Sequence, residues 1–261
     1  MGKVVTFHSY RGGTGKTVSS LTLAALYAKM GKNVCLLDVD FKAPSLHIVF
    51  KDYKKKRWLN DFLDGHCEKE DALEEFSDTY ATKGNFMVGL ANPRTTIIKD
   101  YLTKERKWQM DALRRLLALT KFLKEDLKMD YIFIDSSPGI AYSSLNAIVA
   151  SDLTVMVTTT DRSDITGSNS LLNDFNDLFA EKTFILVNKV ITNVPCSIMQ
   201  EEDINKYLIE AKQTFPVPIL GIIPCYCDVN KSRATGIFVL ENPDHPFTKA
   251  FEKIANRLDR L

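Results

Sequence analysis

Charge of one sign is missing from this chain of 261 residues: 34 Lys and Arg stand against 33 Asp and Glu, a formal net charge of +1. That balance excludes a protein built as a whole around nucleic-acid phosphates and leaves only local basic patches. Long hydrophobic runs are missing too, and no apolar stretch approaches the ~20 residues that span a bilayer. Cysteine is sparse and odd in number, with Cys35, Cys67, Cys196, Cys225 and Cys227. Met1-Gly2-Lys3 leads straight into Val4-Val5-Thr6-Phe7, where a secretory leader would carry a long apolar core. Both features predict reduced thiols and a cytoplasmic protein. There is no internal repeat, low-complexity tract or Pro/Gly linker. The four histidines, His8, His47, His66 and His245, are scattered. His8 is read as a packing or hydrogen-bonding residue.

What is present is ordinary globular composition, 45% hydrophobic and 26% charged. A chain of this mass hides about 73% of its unfolded surface on folding, enough for a full core. The expectation is a single domain over residues 1–261. Near-continuous apolar runs predict strands at Val4–His8, Asn33–Asp38, Phe86–Leu90, Tyr131–Asp135, Leu153–Thr158, Thr183–Val187 and Ile219–Ile223. Helical patterns fall between them at Lys16–Met30, Lys107–Leu127, Ser144–Ala150, Ser168–Leu178, Glu201–Thr214 and Pro246–Leu261. Residues 51–83 are more polar and read as a pair of short helices decorating the sheet. Alternation of this kind predicts an α/β fold, a doubly wound and mainly parallel sheet with helices on both faces.

Tyr10-Arg11-Gly12-Gly13-Thr14-Gly15-Lys16-Thr17 follows the first strand and opens a helix, the context a phosphate-binding loop requires. Glycines let the backbone turn its N–H groups inward as a nest for phosphate oxygens. The helix N-terminus adds partial positive charge. Lys16 reaches the β and γ phosphates as a point charge, and the Thr17 hydroxyl ligates Mg²⁺. Gly12, Gly13, Thr14, Gly15, Lys16, Thr17 and Val18 form the expected nucleotide-binding run. Tyr10 stands where the generic pattern wants glycine. The second strand ends Leu36-Leu37-Asp38-Val39-Asp40, with two carboxylates two residues apart on one face near the strand's C-terminal end. Asp130-Tyr131-Ile132-Phe133-Ile134-Asp135 is an apolar run ending in Asp, the arrangement that organises Mg²⁺. Ser136-Ser137-Pro138-Gly139 then turns the chain.

The compressed loop, a basic residue followed by Gly-Gly-x-Gly-Lys-Thr, resembles the deviant Walker A loop of the MinD/ParA family of P-loop ATPases. The likeness runs over about residues 3 to 258. It implies a P-loop ATP hydrolase fold with ATP and Mg²⁺ as cofactors and an ATP-dependent homodimer. The family's signature lysine, which reaches across that dimer to the partner's phosphates, is Arg11 here. Arginine keeps the charge and offers a planar fork of donors, yet is not interchangeable with lysine. By the resemblance Asp40 positions the attacking water, Asp38 supports the loop and the magnesium shell, and Thr17, Asp38, Asp40 and Asp135 make up the metal set. Catalytic roles fall to Arg11, Lys16 and Asp40, with two outcomes open for Arg11: it preserves the cross-dimer contact, or it weakens hydrolysis while sparing binding. Ile185-Leu186-Val187-Asn188-Lys189 looks like the segment whose Asn holds the adenine edge. Asn188 also reads as a turn residue after a strand. Gly221-Ile222-Ile223-Pro224 resembles a turn beside the base, which adds Lys189 and Pro224 to the nucleotide set.

The output of such a cycle is a switched protein or surface interaction in positioning or partitioning. Two other classes stay open, a nucleotide-gated adaptor or DNA-segregation module with negligible hydrolysis, and a P-loop metabolite kinase or ligase. The partner protein or activator is unnamed by the sequence. Lys51-Asp52-Tyr53-Lys54-Lys55-Lys56-Arg57-Trp58 is the densest basic run, read as a solvated loop before a DNA or lipid contact. Cys225-Tyr226-Cys227 lacks further nearby ligands and reads as thiols before a metal site. The last helix places Phe247, Phe251, Ile254 and Leu258 on one stripe for docking to the sheet. That leaves the membrane-targeting tail of bacterial relatives without a counterpart, so membrane or nucleoid association is expected through partners.

Overall fold

The computed structural model describes residues 2–54, 57–175, 181–191, 201–231 and 236–261. Its strands are β1 (Lys3–His8), β2 (Val34–Val39), β3 (Glu74–Glu75), β4 (Phe86–Gly89), β5 (Tyr131–Ser136), β6 (Leu153–Thr158), β7 (Thr183–Val190) and β8 (Ile219–Pro224). They form one sheet in the order β3-β4-β2-β5-β1-β6-β7-β8. Neighbours run parallel except β3 and β4, an antiparallel edge of two residue pairs. The helices are α1 (Lys16–Lys29), α2 (Leu59–Asp64), α3 (Thr95–Leu102), α4 (Arg106–Glu125), α5 (Tyr142–Val149), α6 (Arg162–Asp174), α7 (Glu201–Thr214), α8 (Cys227–Lys231), α9 (Phe238–Glu241) and α10 (Pro246–Leu258).

The sheet is covered on both faces, and the alternation of its side chains shows it. Val5 and Phe7, Leu36, Tyr131 and Phe133 pack with Tyr27 of α1 and Phe251 of α10. Their neighbours Val4, Cys35 and Leu37, Ile132 and Ile134 face the other way, onto Leu116 and Leu119 of α4 and Ala147 of α5. A third cluster joins Met156, Ile185, Val187 and Ile222 to Leu171 of α6 and Ala211 of α7. Both sides of each strand are therefore apolar, which is why these strands read as continuous runs in the sequence. The stripe of α10 docks as expected, with Phe247, Phe251, Ile254 and Leu258 all buried. Asp259, just past its end, accepts from the Tyr27 hydroxyl at 2.9 Å and the Tyr131 hydroxyl at 2.6 Å, fixing α10 to α1 and β5.

Several boundaries differ from the sequence expectation. Residues 51–83 hold one α-helix, α2, then a single 3₁₀ turn at Lys69–Ala72 and the strand β3, where two helices were expected. α3 was not anticipated, and only Tyr101 of its eight residues is buried, so its apolar pattern is thin. α6 starts six residues earlier than Ser168, because Asp161 caps it by accepting from Ser163 N at 2.8 Å. The expected end of that helix, residues 176–178, lies outside the described residues, as does Cys196. In the basic run, Tyr53 packs on Trp58 with ring centroids 5.2 Å apart and donates to Arg57 O, while Lys55 and Lys56 lie outside the described residues. No helix among the described residues is long and apolar enough to cross a membrane.

Candidate functional site

The sheet order places β1 between β5 and β6, with β2 beyond β5, so the chain changes direction around β1. Ligands of open parallel sheets bind at such a point, beyond the C-terminal strand ends. There the loop after β1 wraps toward the N-terminus of α1. Gly13 and Gly15 sit at φ +87° and +92°, a region closed to most side chains. Gly15 is the N-cap of α1, and no side chain caps that end. The first-turn N–H groups of α1 are thus free of side-chain competition and point at the cleft. Ser9 Oγ donates to Arg11 O at 2.9 Å, and Gly139 N donates to Ser9 O at 2.9 Å, which closes the loop onto the chain after β5.

Register brings the carboxylates together. Asp38 of β2 and Asp135 of β5 are direct partners in the parallel ladder, and Phe7 of β1 pairs with Asp135 from the other side. Asp40 lies just past the end of β2, one residue outside the expected strand geometry, with its backbone N–H donating to Asp38 Oδ1 at 3.1 Å. Its own Oδ1 accepts from Ser137 Oγ at 2.9 Å and Ala43 N at 3.2 Å. The buried Lys16 ammonium reaches Asp135 Oδ1 at 3.2 Å and Asp40 Oδ2 at 3.9 Å. Thr17 hydrogen-bonds the Asp135 carboxylate. One ammonium therefore serves three buried carboxylates.

This imbalance shows in the acidity of Asp38 and Asp135. Burial, then the charges of Asp135 and Asp40, hold the Asp38 carboxyl well above the usual range. Burial also raises Asp135, against the pull of Lys16 and Thr17. Asp38 Oδ2 and Thr14 Oγ1 are buried with no hydrogen-bond partner among the described residues. Behind the loop His8 is fully buried, and burial with the nearby Lys16 charge pushes it down to about 3, so its ring is neutral. His8 Nδ1 meets Ser136 Oγ at 3.3 Å. That contact is the packing and hydrogen-bonding role expected of it.

The residues fit a magnesium nucleotide. Unbalanced buried carboxylates and an orphaned carboxylate oxygen are what a divalent cation relieves. Among the described residues no three His, Cys, Asp or Glu side chains close into a protein-only cage. Mg²⁺ suits this, because it keeps waters and takes one or two protein ligands alongside substrate phosphates. Thr17, with Asp38, Asp40 and Asp135 around its waters, is the set that would hold it.

A cavity of about 420 Å³ opens above the loop. Gly12 through Val18, Asp40, Asn188, Lys189 and Pro224 all line it. Asn188 and Lys189 are inside β7, not beyond it, and Pro224 is the last residue of β8, not a turn. A bulge between Val187 and Val190 turns them toward the loop, with Lys189 at φ +55°. Asn188 Nδ2 donates to Thr14 O at 2.8 Å, and Lys189 Nζ to Gly13 O at 2.7 Å. A Cβ on Gly15 would lie 2.1 Å from Asn188 Nδ2, so that glycine is needed for the approach. Cys225, Tyr226, Val229 and Phe247 complete an apolar end of the cavity that sequence reasoning did not assemble.

Arg11 is elsewhere. Its side chain faces a separate cavity of about 540 Å³ on the far side of the loop. Its Nη2 lies 3.2 Å from Asp161 Oδ1, and its Nε pairs with the buried Asp164 Oδ1. Neither aspartate stood out in the sequence, since nothing local distinguishes them from helix-capping residues. Tyr10 lies against Gly167 of α6, where a Cβ would fall 2.1 Å from its ring.

Known proteins point the same way. Residues 2–188 match the family described as AAA domain. The septum site-determining protein MinD of Thermotoga maritima is 28% identical over 264 residues, covering 99% of this chain and 88% of that protein. The structure of MinD complexed with Mg-ADP from Pyrococcus horikoshii aligns with a TM-score of 0.75 at 22% identity, over 100% of this chain and 97% of that one. A plasmid partition protein of Borrelia burgdorferi bound to AMPPNP aligns at 0.70 and 19% identity, over 100% of both chains. A phosphate loop at the switch point of a mainly parallel sheet, and this set of relatives, lead to one assignment: the chain belongs to the AAA-domain family of P-loop proteins and, within it, to the MinD/ParA ATPases.

Proposed function

We propose that the chain binds MgATP in the 420 Å³ cavity, assembles with a second copy of itself around the nucleotide, and hydrolyses ATP to switch a protein or surface interaction. The observation that carries this reading is the buried Lys16 shared by Asp40 and Asp135, beside the orphaned Asp38 oxygen. Such a cluster is poorly compensated alone and well compensated by a magnesium triphosphate. The Mg-ADP of the Pyrococcus protein and the AMPPNP of the Borrelia protein support the same ligand class.

Within this reading the loop N–H groups and Lys16 hold the phosphates. Bound magnesium supplies charge neutralisation of the phosphate oxygens. Asp40 lines the cavity, fixed by Ser137 and Ala43 through one oxygen and with the other 3.9 Å from Lys16, and in this reading it orients a water for in-line attack. Asn188 and Lys189 link the loop to β7, beside an apolar end formed by Pro224, Tyr226 and Phe247 that suits a base. Arg11 belongs to the assembled state, directed at the partner's nucleotide. The fold acts as one unit in the cytoplasm, and a partner protein takes it to a membrane or nucleoid.

Calorimetry with MgATP and MgADP tests the ligand, and phosphate release tests the chemistry. Asp40→Ala is expected to keep MgATP binding within a few-fold while turnover falls about a hundredfold. Parental turnover in that variant removes Asp40 from the mechanism. Absence of binding at millimolar nucleotide removes the function.

A further inference from the structure

Arg11 is the one basic residue of the phosphate loop turned away from the nucleotide cavity, and the structure gives it two carboxylates of its own chain. Asp164 is 2% exposed, in the first turn of α6. One of its oxygens pairs with Arg11 Nε, and the other accepts from the Thr159 hydroxyl. Asp161, the exposed N-cap of the same helix, meets the other branch of the guanidinium. The two carboxylates thus lie against the guanidinium at Nε and Nη2 as ion pairs. Tyr10 seats against Gly167 two residues further along α6 than Ile165, so the loop docks on this helix through two consecutive side chains. A glycine inside a helix costs about 1 kcal/mol relative to alanine, and here it makes room for that ring.

We infer that Asp164, with Asp161, is the resting site of the Arg11 guanidinium, a positioning pair that Arg11 must leave before it can engage nucleotide in an assembled dimer. The inference rests on the dimer reading above. Arg11 exchanges carboxylate oxygens for phosphate oxygens, which is a trade between like ligands. Asp164 opposes the trade because removing one partner of a buried pair leaves its charge uncompensated. The strength of the Asp164 contact therefore sets the nucleotide concentration at which copies assemble.

The test uses the full chain, with Asp164→Asn and the milder, surface variant Asp161→Asn. Assembly is followed by analytical ultracentrifugation against a non-hydrolysable ATP analogue with Mg²⁺. Asp164→Asn is expected to lower the half-assembly concentration about fivefold, and Asp161→Asn about twofold. A midpoint unmoved or raised in both variants overturns the inference. In parallel, nitrogen-15 NMR of the nucleotide-free protein reads the Arg11 Nε–H, assigned by its loss in Arg11→Ala. A slowly exchanging signal that vanishes in Asp164→Asn supports the resting site. A signal that is absent from the wild type, or that survives Asp164→Asn, overturns it and leaves the dimer reading standing. If wild type and both variants all stay monomeric at saturating analogue, the dimer reading fails and the assembly threshold fails with it. Should Asp164→Asn not fold, Asp161→Asn and the wild-type signal still decide.

Discussion

The two walls of the cleft are built on opposite principles. The wall at β1, β2 and β5 is charged, buried and under-compensated, with Lys16 among Asp38, Asp40 and Asp135. The wall at β7, β8 and α10 is largely apolar, and its polar residues Asn188 and Lys189 spend their donors on the loop carbonyls. The first wall stores electrostatic tension. The second supplies shape and holds the loop in place. Under the proposed function, this contrast assigns affinity for phosphate and magnesium to one side and retention of the base to the other.

The sharpest way to break the contrast is Lys16→Ala. It leaves buried carboxylates without their cation, so the expected loss is about 3–5 kcal/mol of stability and more than about a hundredfold in MgATP affinity. Denaturant unfolding and calorimetry read the two. Unchanged affinity would move the hold on phosphate to the backbone alone.

Acid comes next. The folded protein keeps His8 near 3 while the unfolded chain titrates it near the ordinary histidine value of 6.5, so the unfolded state binds more protons between these values. Stability present above pH 6.5 is lost as the pH falls toward 3. The share expected from His8 is about 2–3 kcal/mol between pH 6.5 and 4.5, in urea titrations. His8→Gln should flatten that slope. An equally steep variant would assign the slope to other groups.

Asp38→Asn tests the stored tension directly. The Asp38 carboxyl is raised in the fold, so its contribution is intact at low pH and lost as the pH rises through its folded value. At pH 7 the amide is expected to stabilise the ligand-free protein by about 1–2 kcal/mol and to weaken magnesium-dependent nucleotide binding about tenfold. A variant less stable than wild type would show that the carboxylate is satisfied without ligand.

The smallest effect belongs to the other wall. Asn188→Ala removes one hydrogen bond to the loop, and MgATP and MgADP are each expected to bind about fivefold more weakly. Equal loss for both nucleotides keeps Asn188 on the base side. A loss confined to MgATP would place it with the phosphates.

Much of the charged wall was legible in the sequence because its elements are local. Gly12 to Thr17 sit between a strand and a helix, and Asp38 and Asp135 end apolar runs, so spacing and residue type suffice. The apolar wall was legible only in part. Asn188 and Pro224 were placed by resemblance, and both turned out to lie within strands, because the bulge that turns Asn188 inward leaves no clear mark in composition. Tyr226, Val229 and Phe247 come from separate segments and meet only in the fold. The short α3 hid because it buries little, and Asp161 and Asp164 looked like ordinary helix-start residues.

Sequence alone determined the alternation of strand and helix and the glycine-rich loop between β1 and α1, because periodicity and glycine geometry act over a few neighbouring residues. Tertiary structure alone decided that Asp38 stands beside Asp135 and that Arg11 rests on Asp164. Ladder register and helix docking set those pairings, and both are properties of the packed sheet that no single segment carries.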